Sequence, residues 1–185
     1  MDEADLVRRC QQGDEAAFQL LVERYLRPLY GTAYLMTRDR ALAEDLVQDT
    51  FLHAWRGIPS LRSVGSVKAW LVRILVRHVL DQRRQRVPEA PLVGEVPAMA
   101  DTHDVEAAVL REEERQRIRE ALAALPEEQR QAVLLRYYAR LTVPEIARAL
   151  GWREGTVKSR LYRALERLRQ ALAGQAAPEG QEGVV

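Results

Sequence analysis

A single cysteine, Cys10, stands in 185 residues, so no disulfide can form within the chain. That suits a reducing cytosol; Cys10 reads as an incidental or partly buried thiol, with a redox-sensing thiol as the lesser alternative. Histidine occurs only at 53, 78 and 103, with no metal-ligand spacing such as H-E-x-x-H. There is no glycine-rich phosphate loop, no Ser/His/Asp set and no two-cysteine motif, so an enzyme, a metal site and a cofactor are not expected. Asp45 and Asp49 are four residues apart, but such a pair on an exposed helix face is more often surface than catalytic. No apolar run reaches about 18 residues, so no membrane span or insertion is expected. The acidic start "MDEADLVRR" has no apolar segment of a secretory signal. Eight prolines and ten glycines are few, and they gather near 88–97 and 174–183. Between those clusters the apolar pattern is helical, with no repeat and no strand of consequence.

What is present is apolar content of 47%, enough for a core, and 30% charged residues, enough to keep surfaces wet. A net charge of +1 argues at first against a nucleic-acid partner. Its distribution argues the other way. Residues 1–60 carry net −3, residues 61–87 net +6, residues 88–114 net −7 and residues 115–185 net +5. Two basic blocks flanking an acidic one suggest two contacts with a polyanion. Lysine stands only at 68 and 158; the other cations are arginine, suited to bidentate contact with phosphate or guanine, although a compositional bias towards Arg and Ala accounts for much of this.

The periodicity predicts a short helix over 3–12 ended by Gly13, then a helix over 15–36 capped by Asp14. In the second, Phe18, Leu21, Val22, Tyr25, Leu29 and Ala33 recur at core spacing, and Pro28 is a site for a kink. Asp39 caps a third helix over 40–56. There Leu42, Leu46, Val47, Phe51, Leu52 and Trp55 read as one apolar face or two adjoining ones, and Glu44, Asp45, Gln48 and Asp49 as a polar one. A loop of about ten residues leads to Ser66, the expected cap of a fourth helix over 67–86. Trp70, Leu71, Ile74, Leu75 and Val79 are its core side, and Arg73, Arg77 and Arg84 share another face. Asp81 is placed to pair with Arg77. Residues 87–103 hold three prolines and no period, and read as a tether. Helices over 104–124 and 127–140 follow, and residues 174–185 read as a disordered tail. The fold class is all-α: two small helical bundles joined by a flexible linker.

"TVPEIARALGWREGTVKSRLYRALERLR" (142–169) carries the most specific signal. Thr142 and Glu145 form a capping box, with Pro144 in the first turn. Ala147 is small where two helices cross, Gly151 follows where the turn needs a left-handed backbone, and Val157 supplies the core side of the second helix with Trp152. This is a helix-turn-helix, and its second helix projects Arg153, Glu154, Thr156, Lys158, Ser159, Tyr162 and Arg163. Residues 148–169 carry seven cations and two anions. The plain alternative is a solvated amphipathic hairpin.

"AEDLVQDTFLHAWR" (43–56), "SVKAWLVRILVRHVLDQRRQR" (66–86) and "LTVPEIARALGWREGTVKSRLYRALERLR" (141–169) together resemble a bacterial sigma factor of the extracytoplasmic-function group, over about residues 5–173. The resemblance implies a promoter-specificity subunit that binds core RNA polymerase and directs initiation. Residues 1–86 would be region 2, 87–103 an acidic linker threading the active-site cleft and RNA exit path, and 104–173 region 4. Asp45, Gln48 and Asp49 match the segment that docks on the β′ clamp coiled coil. Leu61, Arg62, Ser63, Val64 and Lys68 match the surroundings of a pocket for a flipped base of the −10 element, with Arg73, Arg77 and Arg84 on phosphates. His78 stands where most relatives have asparagine, which puts −10 specificity in doubt; a helix-packing role is its bland reading. Lys158, Ser159, Tyr162 and Arg163 match positions that touch the −35 duplex, while other faces of region 4 meet the β flap. A cognate anti-sigma factor, common in the group, is a candidate partner; a homo-oligomer is not expected. The competing readings are a stand-alone helix-turn-helix regulator, which would leave the basic fourth helix and the acidic-amide face unexplained, and a helical anti-sigma-like adaptor, which would lack the complete recognition helix.

Overall fold

A computed structural model describes residues 2–61, 67–85 and 105–174. It contains eight α-helices: α1 (Glu3–Gln11), α2 (Glu15–Thr37), α3 (Arg40–Gly57), α4 (Val67–Gln85), α5 (Val105–Ala124), α6 (Glu127–Val133), α7 (Val143–Leu150) and α8 (Glu154–Gly174). No strand occurs among the described residues, and no helix there is long and apolar enough to cross a membrane. Cys10 is fully buried against α1's neighbours. The linker 87–103, the expected cap Ser66 and the tail beyond Gly174 lie outside the described residues.

The capping residues fix the helix starts as their chemistry requires. Asp14 accepts from the Ala17 N–H at 3.0 Å and Asp39 from the Leu42 N–H at 3.0 Å. Pro28 leaves α2 continuous, with the Thr32 hydroxyl donating to the Pro28 carbonyl at 2.8 Å. The start of α4 is held from a distance. Glu3 of α1 accepts from the Val67 N–H at 3.4 Å, and Gln11 donates to the Leu61 carbonyl at 2.8 Å. Thus α1 pins both described ends of the loop that precedes α4.

Helices α1–α4 form the first bundle and α5–α8 the second. The sixth helix departs from the expected single run: it ends at Val133 and continues as a π-helical turn over Leu134–Tyr138, where the Ala139 N–H bonds the Leu134 carbonyl at 3.0 Å. The extra residue in that turn carries Tyr138 towards the first bundle. There α2 offers Gly31, where a Cβ would come within 1.7 Å of the Tyr138 hydroxyl oxygen. Glycine is the residue that lets this ring lie against the helix.

The two bundles are not merely tethered; they pack together. One buried apolar cluster runs from Leu6 to Ala164 across both. Helix α7 lies along α4. Arg83 of α4 donates to the Met36 carbonyl and pairs with Glu127 of α6. Val72 and Val76, outside the expected core side of α4, are 1% and 0% exposed because they share the side of the helix on which Arg83 reaches the second bundle.

Candidate nucleic-acid and polymerase interface

Three faces present groups to solvent in patterns that a core would not need. On α3, Asp45, Gln48, Asp49 and Leu52 are all exposed and stand at i, i+3, i+4 and i+7, one stripe of the helix. Leu52 is 56% exposed, so it does not belong with the core face where its spacing put it. Beside this stripe, side chains of α2 and α3 line an open groove of 860 Å³. Phe18, Val22, Leu26, Val47, Phe51, Leu52 and Trp55 line it, with Gln48 and Glu44 at its polar edge. The Phe18 ring lies 4.9 Å from that of Trp55, tilted by 60°, and edge-on at 6.4 Å to Phe51. Phe18 and Val22 were expected in the core, and they are only partly buried because they form one wall of this groove. An apolar groove whose polar edge carries Glu15, Glu44 and Gln48 against one cation, Arg27, suits a partner helix with mainly cationic edges.

On α4, Arg73, Arg77 and Arg84 are exposed on one side. Asp81 stands 3.9 Å from Arg77 and 3.9 Å from Arg84, long and solvent-exposed pairs that hold neither guanidinium firmly. Lys68 is half-buried. Desolvation and then the nearby Arg140 of the second bundle lower its pKa below the ordinary lysine range. Leu61 is partly buried and packed on the core. Arg62, Ser63 and Val64 lie outside the described residues.

His78 does not share the arginine face. It turns to α3, where its ring meets His53 with centroids 5.0 Å apart and planes at 65°, and its Nδ1 is buried without a hydrogen-bond partner. Burial, then the neighbouring His53, lower its pKa from the ordinary 6.5, with Arg77 acting in the same direction; Asp49 and Asp81 oppose this. Because the fold favours the neutral ring, the unfolded chain takes up the proton first. The stability that His78 supplies is therefore complete above about pH 6.5 and is lost as pH falls through and below that value. His78→Asn is expected to flatten the acid side of the stability profile. Thermal midpoints at about pH 7.5 and 5.5 measure this, and an acid loss as steep in the variant as in the parent would contradict it.

In the second bundle, the Thr142 N–H and hydroxyl both donate to Glu145 at 2.8 Å. Gly151 takes φ +68° at the turn, and Ile146 and Val157 are fully buried between α7 and α8. This packing turns Arg153, Glu154, Lys158, Ser159, Tyr162 and Arg163 outward, with Thr156 partly covered and Tyr162 69% exposed. The Ser159 hydroxyl donates to the Thr156 carbonyl at 3.0 Å. One cation of this helix, Arg160, points inward instead.

The sequence matches the family model for sigma-70 region 2 over residues 21–88 and that for sigma-70 region 4 over residues 115–168. It is 38% identical over 172 residues to the ECF RNA polymerase sigma factor SigM of Mycobacterium tuberculosis, covering 92% of this chain and 84% of that one. It is 32% identical over 177 residues to the RNA polymerase sigma-H factor of Pseudomonas aeruginosa, covering 90% and 92% respectively. Among solved structures, it is similar to the sigma factor RpoE in complex with the anti-sigma factor NepR from Bartonella quintana, with a TM-score of 0.69, 29% identity and coverage of 84% and 96%. It is also similar to CnrH in complex with the cytosolic domain of CnrY, with a TM-score of 0.66, 26% identity and coverage of 92% and 97%.

Proposed function

The chain belongs to the extracytoplasmic-function sigma factors of the sigma-70 family, and from that premise we propose how its three solvent-facing surfaces divide the work of a promoter-specificity subunit. A sigma subunit binds core RNA polymerase, recognises the −10 and −35 elements and directs initiation. The stand-alone regulator reading falls away, because the family match extends over both bundles and not over the helix-turn-helix alone.

Residues 1–86 act as region 2. The α3 stripe of Asp45, Gln48, Asp49 and Leu52, with the groove beside it, receives the β′ clamp coiled coil. This assignment rests most on the groove, since apolar side chains kept open on an otherwise polar surface call for a helical partner. Arg73, Arg77 and Arg84 hold phosphates near the −10 element, and Leu61, Arg62, Ser63, Val64 and Lys68 surround the flipped base, whose extraction costs a few kcal/mol offset by stacking and edge contacts. His78 supports α4 from the α3 side. Residues 104–173 act as region 4, with the outward face of α8 on the −35 duplex. Residues 87–103, within the net −7 block, follow the cationic path through the enzyme. A cognate anti-sigma factor would compete for the same apolar groove, and the protein works in the cytoplasm.

The test is to mix the protein with core polymerase and map start sites on random templates. Comigration with core and a new set of starts sharing two elements are expected. A nanomolar duplex shift by the protein alone at physiological salt, without core association, would sink the assignment.

A further inference from the structure

The recognition helix α8 carries Lys158, Arg160 and Arg163 within its first half, three of the seven cations of residues 148–169. Arg160 differs from the other two. At about 100° per residue it lies roughly 130° from the centre of the outward face formed by Lys158, Ser159, Tyr162 and Arg163. Its side chain is 22% exposed. The guanidinium carbon sits 3.8 Å from the centroid of the Trp152 ring, which belongs to the turn between α7 and α8. Nη2 forms an ion pair with Glu128 of α6 at 2.5 Å, on a carboxylate side chain that is itself 61% exposed, while Nη1 is buried with no acceptor. A cation reaching for phosphate would keep its head in water. This one gives up solvation to touch two other elements of its own bundle.

We propose that Arg160 is a positioning residue for −35 recognition: its stack on Trp152 and its pair with Glu128 set the tilt of α8, and it makes no phosphate contact. The proposal rests on the −35 role given to α8 above.

The lever arm shows why one side chain matters. Arg163 stands nine residues beyond Glu154, roughly 14 Å along the axis at 1.5 Å per residue. A tilt of about 10° at the turn moves it by roughly 2.4 Å, more than a hydrogen bond tolerates. The apolar contacts of Val157, Leu161 and Ala164 hold α8 against the bundle. They are not directional, so they resist separation better than rocking. A planar group held between a ring face and a carboxylate resists rocking.

The experiment uses the full chain with core polymerase and a promoter found by start mapping. Arg160→Met is expected to lower −35-dependent initiation by about 10-fold or more, with core affinity and binding of a −10 single strand by the holoenzyme unchanged. The slope of log affinity against log salt should stay at the parent value, whereas a lost phosphate contact would reduce it by about one. Arg160→Lys should recover part of the loss, because an ammonium still reaches Glu128 but cannot stack as a plane. Glu128→Gln, remote from the outward face, should lower the same initiation and add little to Arg160→Met. A salt slope reduced by about one in Arg160→Met would overturn the proposal in favour of direct contact. A fall in thermal midpoint with −10 binding reduced equally would overturn it in favour of a merely structural role. Lys158→Ala and Arg163→Ala run beside these; if neither affects initiation, the −35 assignment itself is what failed, and the Arg160 proposal falls with it.

Discussion

A Leu52→Arg variant is expected to fold like the parent and to lose association with core RNA polymerase by about 100-fold or more, the cost of an unpaired charge at an apolar contact being of order 3 kcal/mol or higher. Leu52 is 56% exposed, so replacing it removes little from the core. It stands where the acidic-amide stripe of α3 meets the groove lined by Phe18, Phe51 and Trp55. Apolar anchors at the centre of an interface carry much of its energy, while rim charges mostly set rate and salt dependence. Asp49→Arg, on the rim, should therefore weaken binding less and in a salt-dependent way. Leu20→Arg is the control: Leu20 is 42% exposed on α2 and outside the groove. A fluorescence titration of labelled protein with core measures all three. Equal affinity of Leu52→Arg and the parent would remove the groove from the docking surface.

Replacing both Lys158 and Arg163 by alanine is expected to weaken −35-dependent promoter binding by about 10- to 100-fold and to reduce the salt slope by up to about two. Both side chains are exposed on the outward face of α8, so neither supports the fold. Core affinity should not change, the mirror image of the Leu52→Arg result. Promoter binding by the holoenzyme at two or more salt concentrations gives both quantities. Loss of core affinity in the double variant would contradict the separation of surfaces.

Several of these features are written in short stretches of sequence. The caps Asp14 and Asp39 act within three residues, and the Thr142–Glu145 box closes on its own first turn. Gly151 marks its left-handed turn because few other residues adopt that backbone. The exposed side of α4 follows from the i, i+4, i+11 spacing of Arg73, Arg77 and Arg84. Misplacements occur where spacing cannot tell a core face from a groove wall. Phe18, Val22 and Leu52 have the right period for burial, and nothing local says that they line an open groove between α2 and α3. The pairing of Arg160 with Glu128 was equally hidden, since 32 positions separate them, although Trp152 nearby is a signal that a cation could have a ring to cover.

The sequence by itself determined the all-helical class, the two bundles, the helix-turn-helix and the sign of each charged block. These depend on periods and caps that act within a turn or two of helix. Tertiary structure alone decided which apolar residues stay open as a docking groove, that Glu3 of α1 holds the start of α4, that His78 faces His53, and that Arg160 faces inward. It also decided that Tyr138 lies against Gly31 and that Arg83 pairs with Glu127, two contacts that bridge the bundles beside their shared apolar cluster. Each of those contacts links elements far apart in the chain. Its energy arises only once both partners are placed, so no local pattern carries it.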